Sequence, residues 1–82
     1  MKIFYTYILY SISKGKYYYG STGDLEKRIK AHNMGKVRST KSGRPWKLHY
    51  IEEYETKTEA IKQELFFKNV NGYNYLKERG IK

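Results

Sequence analysis

Tyr7, Tyr18, Arg28, His32 and Glu64 are the side chains of this sequence whose types and positions could do chemistry together. The tyrosines sit in two aromatic runs, Tyr5-Thr6-Tyr7-Ile8-Leu9-Tyr10 and Tyr17-Tyr18-Tyr19-Gly20, parted by polar residues that include Lys14-Gly15, a pattern that predicts a β-hairpin. Side chains alternate along a strand and antiparallel partners point the same way. An even-numbered loop therefore puts Tyr7, Leu9 and Tyr18 on one face, and Thr6, Ile8, Tyr10, Tyr17 and Tyr19 on the other. With a four-residue loop from Ser11 to Lys14, Tyr7 and Tyr18 stand directly opposite and their hydroxyls meet.

The other three candidates lie on predicted helices. Ser21-Thr22-Gly23-Asp24 supplies N-cap chemistry for a helix over Leu25 to Met34 that stops at Gly35, with Leu25 and Ile29 as apolar anchors. Arg28 and His32 border that apolar stripe and can reach the sheet face. The ordinary alternatives are an i,i+4 ion pair of Arg28 with Asp24, and a helix-end role for His32 near the C-terminal dipole. Trp46 to Glu52 alternates, with Trp46, Leu48 and Tyr50 on one side, which predicts a third strand begun by Pro45; His49 falls on the alternate face and is assigned no chemistry. Thr56-Lys57-Thr58-Glu59 is a capping box and starts a helix running to about Val70. Glu64 falls inside the arc set by Ala60, Ile61, Leu65 and Phe67. A carboxylate so placed is costly unless paired, hydrogen-bonded or bound to a metal, and a salt bridge to Arg28 or Lys68 is the ordinary solution. The stretch after Asn71 predicts a short capped helix with Tyr73 and Leu76 turned inward and Asn71 as a possible cap.

Eighty-two residues make one domain, 1–82, with a few kcal/mol of net core stability at most. The absence of cysteine excludes disulfides and thiolate zinc sites. No leader with a small-residue cleavage site and no membrane-spanning run is found, so a soluble, cytoplasmic protein without membrane contact is expected. Lys and Arg number 17 against 8 acids, a net charge of +9 that suits a nucleic-acid partner. The excess is uneven: Lys36, Arg38, Lys41 and Arg44 lie in a predicted loop without an acid, which reads either as a solvated loop or as a phosphate-contacting one.

Taken in order, the paired tyrosines, the helix with Arg28 and His32, and the later helix with Glu64 resemble the GIY-YIG nuclease family. The likeness is to its short stand-alone bacterial members, related to the N-terminal nuclease domain of the excision-repair incision subunit, and runs from Tyr5 to about Leu76. The first motif is Tyr5-Thr6-Tyr7, where Tyr and Thr replace Gly and Ile, and the second is Tyr18-Tyr19-Gly20. Arg44-Pro45-Trp46-Lys47-Leu48 and Glu59-Ala60 also resemble the small bacterial branch. Some branches carry Lys where this chain has Ser21, and others place an Asn after the Glu, for which Asn71 and Asn74 are candidates.

The resemblance implies an α+β fold, a small three-stranded antiparallel sheet flanked by helices. It also implies a DNA endonuclease with little sequence specificity, active in repair or recombination. One Mg²⁺ or Mn²⁺ ion on Glu64 would neutralise phosphoryl charge and help the leaving 3′ oxygen. Arg28 would stabilise the transition state as a fixed planar donor that Lys cannot replace. One of Tyr7 and Tyr18 would relay a proton from the attacking water and the other would position water or phosphate, with His32 a second base or an orienting group. A free phenol titrates near 10, and lowering it by three units takes about 4 kcal/mol, which a metal-bound water, Arg28 or His32 would have to supply. Target choice would fall to a partner protein or to self-association. A non-catalytic nucleic-acid-binding module and a small basic component of an RNA–protein assembly are the competing readings.

Overall fold

The computed structural model describes residues 2–82. Its centre is β1, Phe4–Ser11, which pairs antiparallel with β2, Lys16–Thr22, on one side and β3, Trp46–Tyr54, on the other. Because β1 is flanked by strands and covered on both faces, Thr6, Tyr7, Ile8 and Leu9 are all buried. Even the threonine is satisfied there: its hydroxyl donates to the Ala60 carbonyl at 2.7 Å. With three helices around this sheet, the fold is α+β as expected.

Parity places Tyr7, Leu9 and Tyr18 together, in a cluster with Trp46, Ile51, Leu25 and Ile29, while Ile8, Tyr17 and Tyr19 face the other way with Phe67 and Leu76. The register differs from the expected one. The turn occupies 12–15, with Gly15 at φ +66° and its N–H bonded to the Ser11 carbonyl at 2.8 Å, so Tyr18 stands opposite Leu9 and Gly20 opposite Tyr7. The loop is even-numbered but sits one residue later than 11–14, which slides the pairing by one two-residue step and leaves the faces unchanged.

β3 departs from simple alternation. Its pairing with β1 shifts between Ile8 and Leu9, Leu48 facing Leu9 and Tyr50 facing Ile8, so one extra residue, His49, is accommodated there. Trp46 and Leu48 therefore lie on the Tyr7 face, whereas Tyr50 and Glu52 lie on the opposite one. The expectation that Trp46, Leu48 and Tyr50 share a side fails for that reason. His49 packs against Tyr10 and Tyr17.

Helix α1, Leu25–Asn33, is capped by the Asp24 carboxylate on the Lys27 N–H and closes on Gly35 at φ +76°. The basic stretch expected as loop forms a 3₁₀ turn over Arg38–Gly43. Helix α2, Lys57–Phe67, begins with the expected cap of Thr56 on the Glu59 N–H but ends earlier than Val70, because Asn69 caps a third helix, α3, Val70–Glu78. A Cβ at Gly72 would run into the Phe66 carbonyl, so glycine lets α3 fold back on the end of α2. Leu76 is buried as predicted, but Tyr73 is 47% exposed, and Asn69 rather than Asn71 is the cap. The inward face of α2 is also narrower than expected. Ala60 and Phe67 are buried with Gln63 and Glu64 partly buried between them, and Ile61 and Leu65 point outward.

Candidate active site

The Tyr7 hydroxyl and His32 Nε2 lie 2.9 Å apart, and the other imidazole nitrogen, Nδ1, lies 2.8 Å from the Thr40 hydroxyl. All three side chains are buried. His32 is thus an interior residue with both nitrogens engaged, and the helix-end reading is corrected. Tyr18 lays its ring against His32 at 5.0 Å between centroids and against Trp46 at 6.2 Å, on the same sheet face as Tyr7. The expected meeting of two hydroxyls becomes a cluster in which His32 contacts both rings.

Arg28, one helical turn before His32, forms no ion pair with Asp24, whose carboxylate is occupied in capping α1. Its guanidinium instead borders the Tyr7 and Tyr18 phenols. The Tyr7 phenol is the largest influence and holds the guanidinium above its ordinary pKa. A groove of about 230 Å³ lined by Thr22, Asp24, Lys27, Arg28 and Ala31 opens beside it.

Burial pushes the Tyr7 phenol up to about 12; Arg28 opposes this, and the neighbouring Tyr18 and Glu64 add to it. His32 is pushed down to about 4, by burial first and by the Arg28 charge second. The pair is therefore phenol and neutral imidazole at pH 7. The chain by itself does not lower the phenol pKa, so the stabilisation needed for proton relay has to arrive with the bound ligands.

Glu64 comes from the other side of the sheet. Its Oε1 accepts from the Ser21 hydroxyl at 2.8 Å and its Oε2 from Lys68 Nζ at 2.9 Å. Of the two salt bridges expected, the one to Lys68 forms and the one to Arg28 does not. Ser21 points to the Thr6 face, but its neighbour Gly20 lies under the Tyr7 ring: a Cβ there would clash with the hydroxyl and lie 2.5 Å from Cζ. Four of the five predicted residues thus gather on one face, and the fifth reaches the edge strand β2 at the residue next to where Tyr7 lands. The carboxylate is close enough to oppose ionisation of Tyr7.

Among the described residues no group of three or more His, Cys, Asp or Glu could hold a metal. A site with one carboxylate suits Mg²⁺, which keeps most of its waters. Glu64 fits: its Lys68 partner is 47% exposed, and such a surface pair is worth only about 0–1 kcal/mol, so Oε2 is readily freed while Ser21 holds Oε1.

Lys36, Arg38, Lys41 and Arg44 are all exposed. Arg44 folds back, its Nε donating to the Lys41 carbonyl at 2.8 Å and its guanidinium lying against Gly35. Lys36 shares a groove of about 350 Å³ with Lys27, Lys30, Ala31 and Met34, so the basic surface extends along α1. Lys27 and Lys30 belong to the same acid-free stretch, which follows Glu26, but they lie on the predicted helix, and the phosphate-contacting reading is confined to the predicted loop. Thr40 and Ser21 were missed because a hydroxyl's partner is set by tertiary contact. Asn71 and Asn74 are exposed and hydrogen-bond to none of the site residues.

The chain matches the GIY-YIG catalytic domain over residues 3–76 and belongs to that nuclease-type family. Among its relatives are UPF0213 proteins. That of Bacillus licheniformis is 45% identical over 78 residues, covering 94% of this chain and 77% of the relative. That of Bacillus cereus is 43% identical over 60 residues, covering 72% of this chain and 62% of the relative, less than two thirds of its length. The solution structure of the UPF0213 protein of Bacillus halodurans superposes with a TM-score of 0.57 at 30% identity, covering 98% of this chain and 85% of that one.

Proposed function

We propose that residues 1–82 form one nuclease domain that hydrolyses DNA phosphodiester bonds with one divalent cation and little intrinsic sequence specificity. The observation that carries this is the buried Tyr7–His32 pair, bordered by Arg28 and set beside a carboxylate held by a partly buried hydroxyl and an exposed lysine. A module needing only positive charge has no use for that arrangement. A magnesium or manganese ion held by Glu64 would supply charge neutralisation at the scissile phosphate and assistance to the leaving oxygen. Arg28 would donate to the phosphoryl oxygens from the α1 side, and Tyr7 and Tyr18 would handle the attacking water. Work in DNA repair or recombination in the cytoplasm, with a partner or a second copy choosing the target, belongs to the same reading.

Lys36, Arg38 and Lys41 would track the phosphate backbone, joined by Lys27 and Lys30, with Arg44 supporting the turn as well as contacting phosphate. Neutralising any one of the free lysines is expected to flatten the log–log salt dependence of DNA binding by roughly one unit. An unchanged slope moves the contact elsewhere.

The direct experiment is nicking of plasmid and branched DNA in Mg²⁺ and Mn²⁺ by the wild type beside Glu64→Gln. Divalent-dependent cutting by the wild type, reduced by about 100-fold or more in the variant, supports the enzyme. Equal binding with no cutting by either would leave a nucleic-acid-binding module.

A further inference from the structure

We infer that Thr40 is a positioning residue that fixes His32 as the tautomer carrying its hydrogen on Nδ1, so that Nε2 is the acceptor for the Tyr7 hydroxyl. The argument is a count of hydrogens. At one end, the Tyr7 hydroxyl is buried 2.9 Å from Nε2 and can either donate or accept, so that contact fits either tautomer. The choice is made at the opposite nitrogen.

At the other end, the Thr40 hydroxyl has one hydrogen and two neighbours. The Val37 carbonyl, 3.3 Å away, can only accept, so the hydrogen goes there, and the hydroxyl oxygen at 2.8 Å accepts from Nδ1–H. The hydroxyl is held in that role by its backbone. The Thr40 N–H bonds to the Val37 carbonyl at 3.1 Å, and its own carbonyl accepts from the Trp46 indole at 2.7 Å. With the hydrogen on Nδ1, Nε2 is left bare to accept from the Tyr7 hydroxyl.

The consequence rests on the nuclease reading above. It separates the two tyrosines: Tyr7 has a built exit for its proton and Tyr18 does not share it. In the reaction the attacking water would pass a proton to Tyr7 oxygen as Tyr7 passes its own to Nε2. The imidazolium so formed keeps its Nδ1 hydrogen on Thr40 and later returns the proton to solvent.

The test is a long-range ¹H–¹⁵N correlation spectrum of the labelled chain at pH 7, which reads the protonation of each ring nitrogen directly. The chain has two histidines, and exposed His49 is removed as His49→Gln to assign the other. The wild type is expected to show His32 with Nδ1 protonated and Nε2 bare, Thr40→Ser to keep that pattern, and Thr40→Val to populate the opposite tautomer. A wild-type spectrum with Nε2 protonated overturns the inference, and it needs no variant to fold. An unchanged pattern in folded Thr40→Val overturns it as well. In nicking assays Thr40→Val should lower kcat about 10- to 100-fold with KM for DNA unchanged, and Thr40→Ser should restore it. If the wild type does not cut, the nuclease reading falls while the spectrum still decides the tautomer.

Discussion

Two clusters in this molecule join tyrosines to a titratable group, and they are finished differently. On the face of β1 that carries Ile8, the Glu52 carboxylate accepts four hydrogen bonds: Tyr54 and Gln63 at 2.7 and 2.9 Å on Oε1, Tyr50 and Tyr75 at 2.6 and 3.0 Å on Oε2. Burial alone would raise its pKa, but the donors outweigh burial and hold it below the usual carboxylate value, while Tyr50 and Tyr54 are pushed well up, by burial first and then by their bonds to the carboxylate. Every acceptor position is used, and the group ties β3, α2 and α3 together. In the Tyr7 cluster, the phenol and imidazole are internally matched, but Arg28 opens on a groove, and Glu64, which reaches the edge strand from the other side of the sheet, is held by a hydroxyl and an exposed lysine. A saturated carboxylate is a structural joint, whereas one with a replaceable partner can take a ligand.

The contrast can be broken by experiment. Glu52→Leu removes the common acceptor of three phenols and an amide and is expected to cost about 3–5 kcal/mol in urea denaturation, with nicking per folded molecule unchanged. A variant as stable as wild type would show that the cage holds nothing together.

Acid should separate the two clusters. His32 titrates at about 4 when folded against 6.5 when free, so the unfolded chain binds more protons between those values. Stability is then full above about 6.5 and is lost as pH falls toward 4, by up to about 3 kcal/mol. Glu52, whose folded pKa is lowered, adds its loss only below the ordinary carboxylate value of 4.5. A stability profile flat from pH 6.5 to 5 would contradict the neutral buried imidazole.

Gly20→Ala drives a methyl into the Tyr7 ring and should cost about 1–3 kcal/mol, with nicking lost beyond what stability explains. Thermal melts beside activity would distinguish this from ordinary overpacking. The smallest expected stability effect is at Glu64. Glu64→Gln keeps an acceptor for Ser21 and loses an exposed ion pair, so stability should change by less than about 1 kcal/mol even as cutting disappears. A large destabilisation would make Glu64 another structural joint.

What could be read from the sequence follows from the range of each interaction. The sharing of a face by Tyr7 and Tyr18 needs only an even loop, and the caps at Asp24 and Thr56 lie within a few residues of what they cap. The exact register depended on where the turn fell, and Gly15, whose positive φ fixes it, was present but was placed just outside the loop. The Glu52 cage and the Thr40 hydroxyl were not legible, because their partners come from distant elements. The outward turn of Ile61 and Leu65 was hidden for a related reason: α2 presents Gln63 and Glu64 inward to polar partners, so hydrophobicity does not mark its buried side.

The extra residue at His49 makes β3 serve two interiors in succession. Upstream of it Trp46 and Leu48 face the Tyr7 side, and downstream Tyr50 and Glu52 face the Ile8 side while Ile51 takes over the Tyr7 side. Excising His49 would restore even alternation and turn one half of the strand over relative to the other, emptying one chamber of its indole or the other of its carboxylate. Chain length in this strand is therefore quantised, and a single-codon deletion there should be far more damaging than most side-chain exchanges.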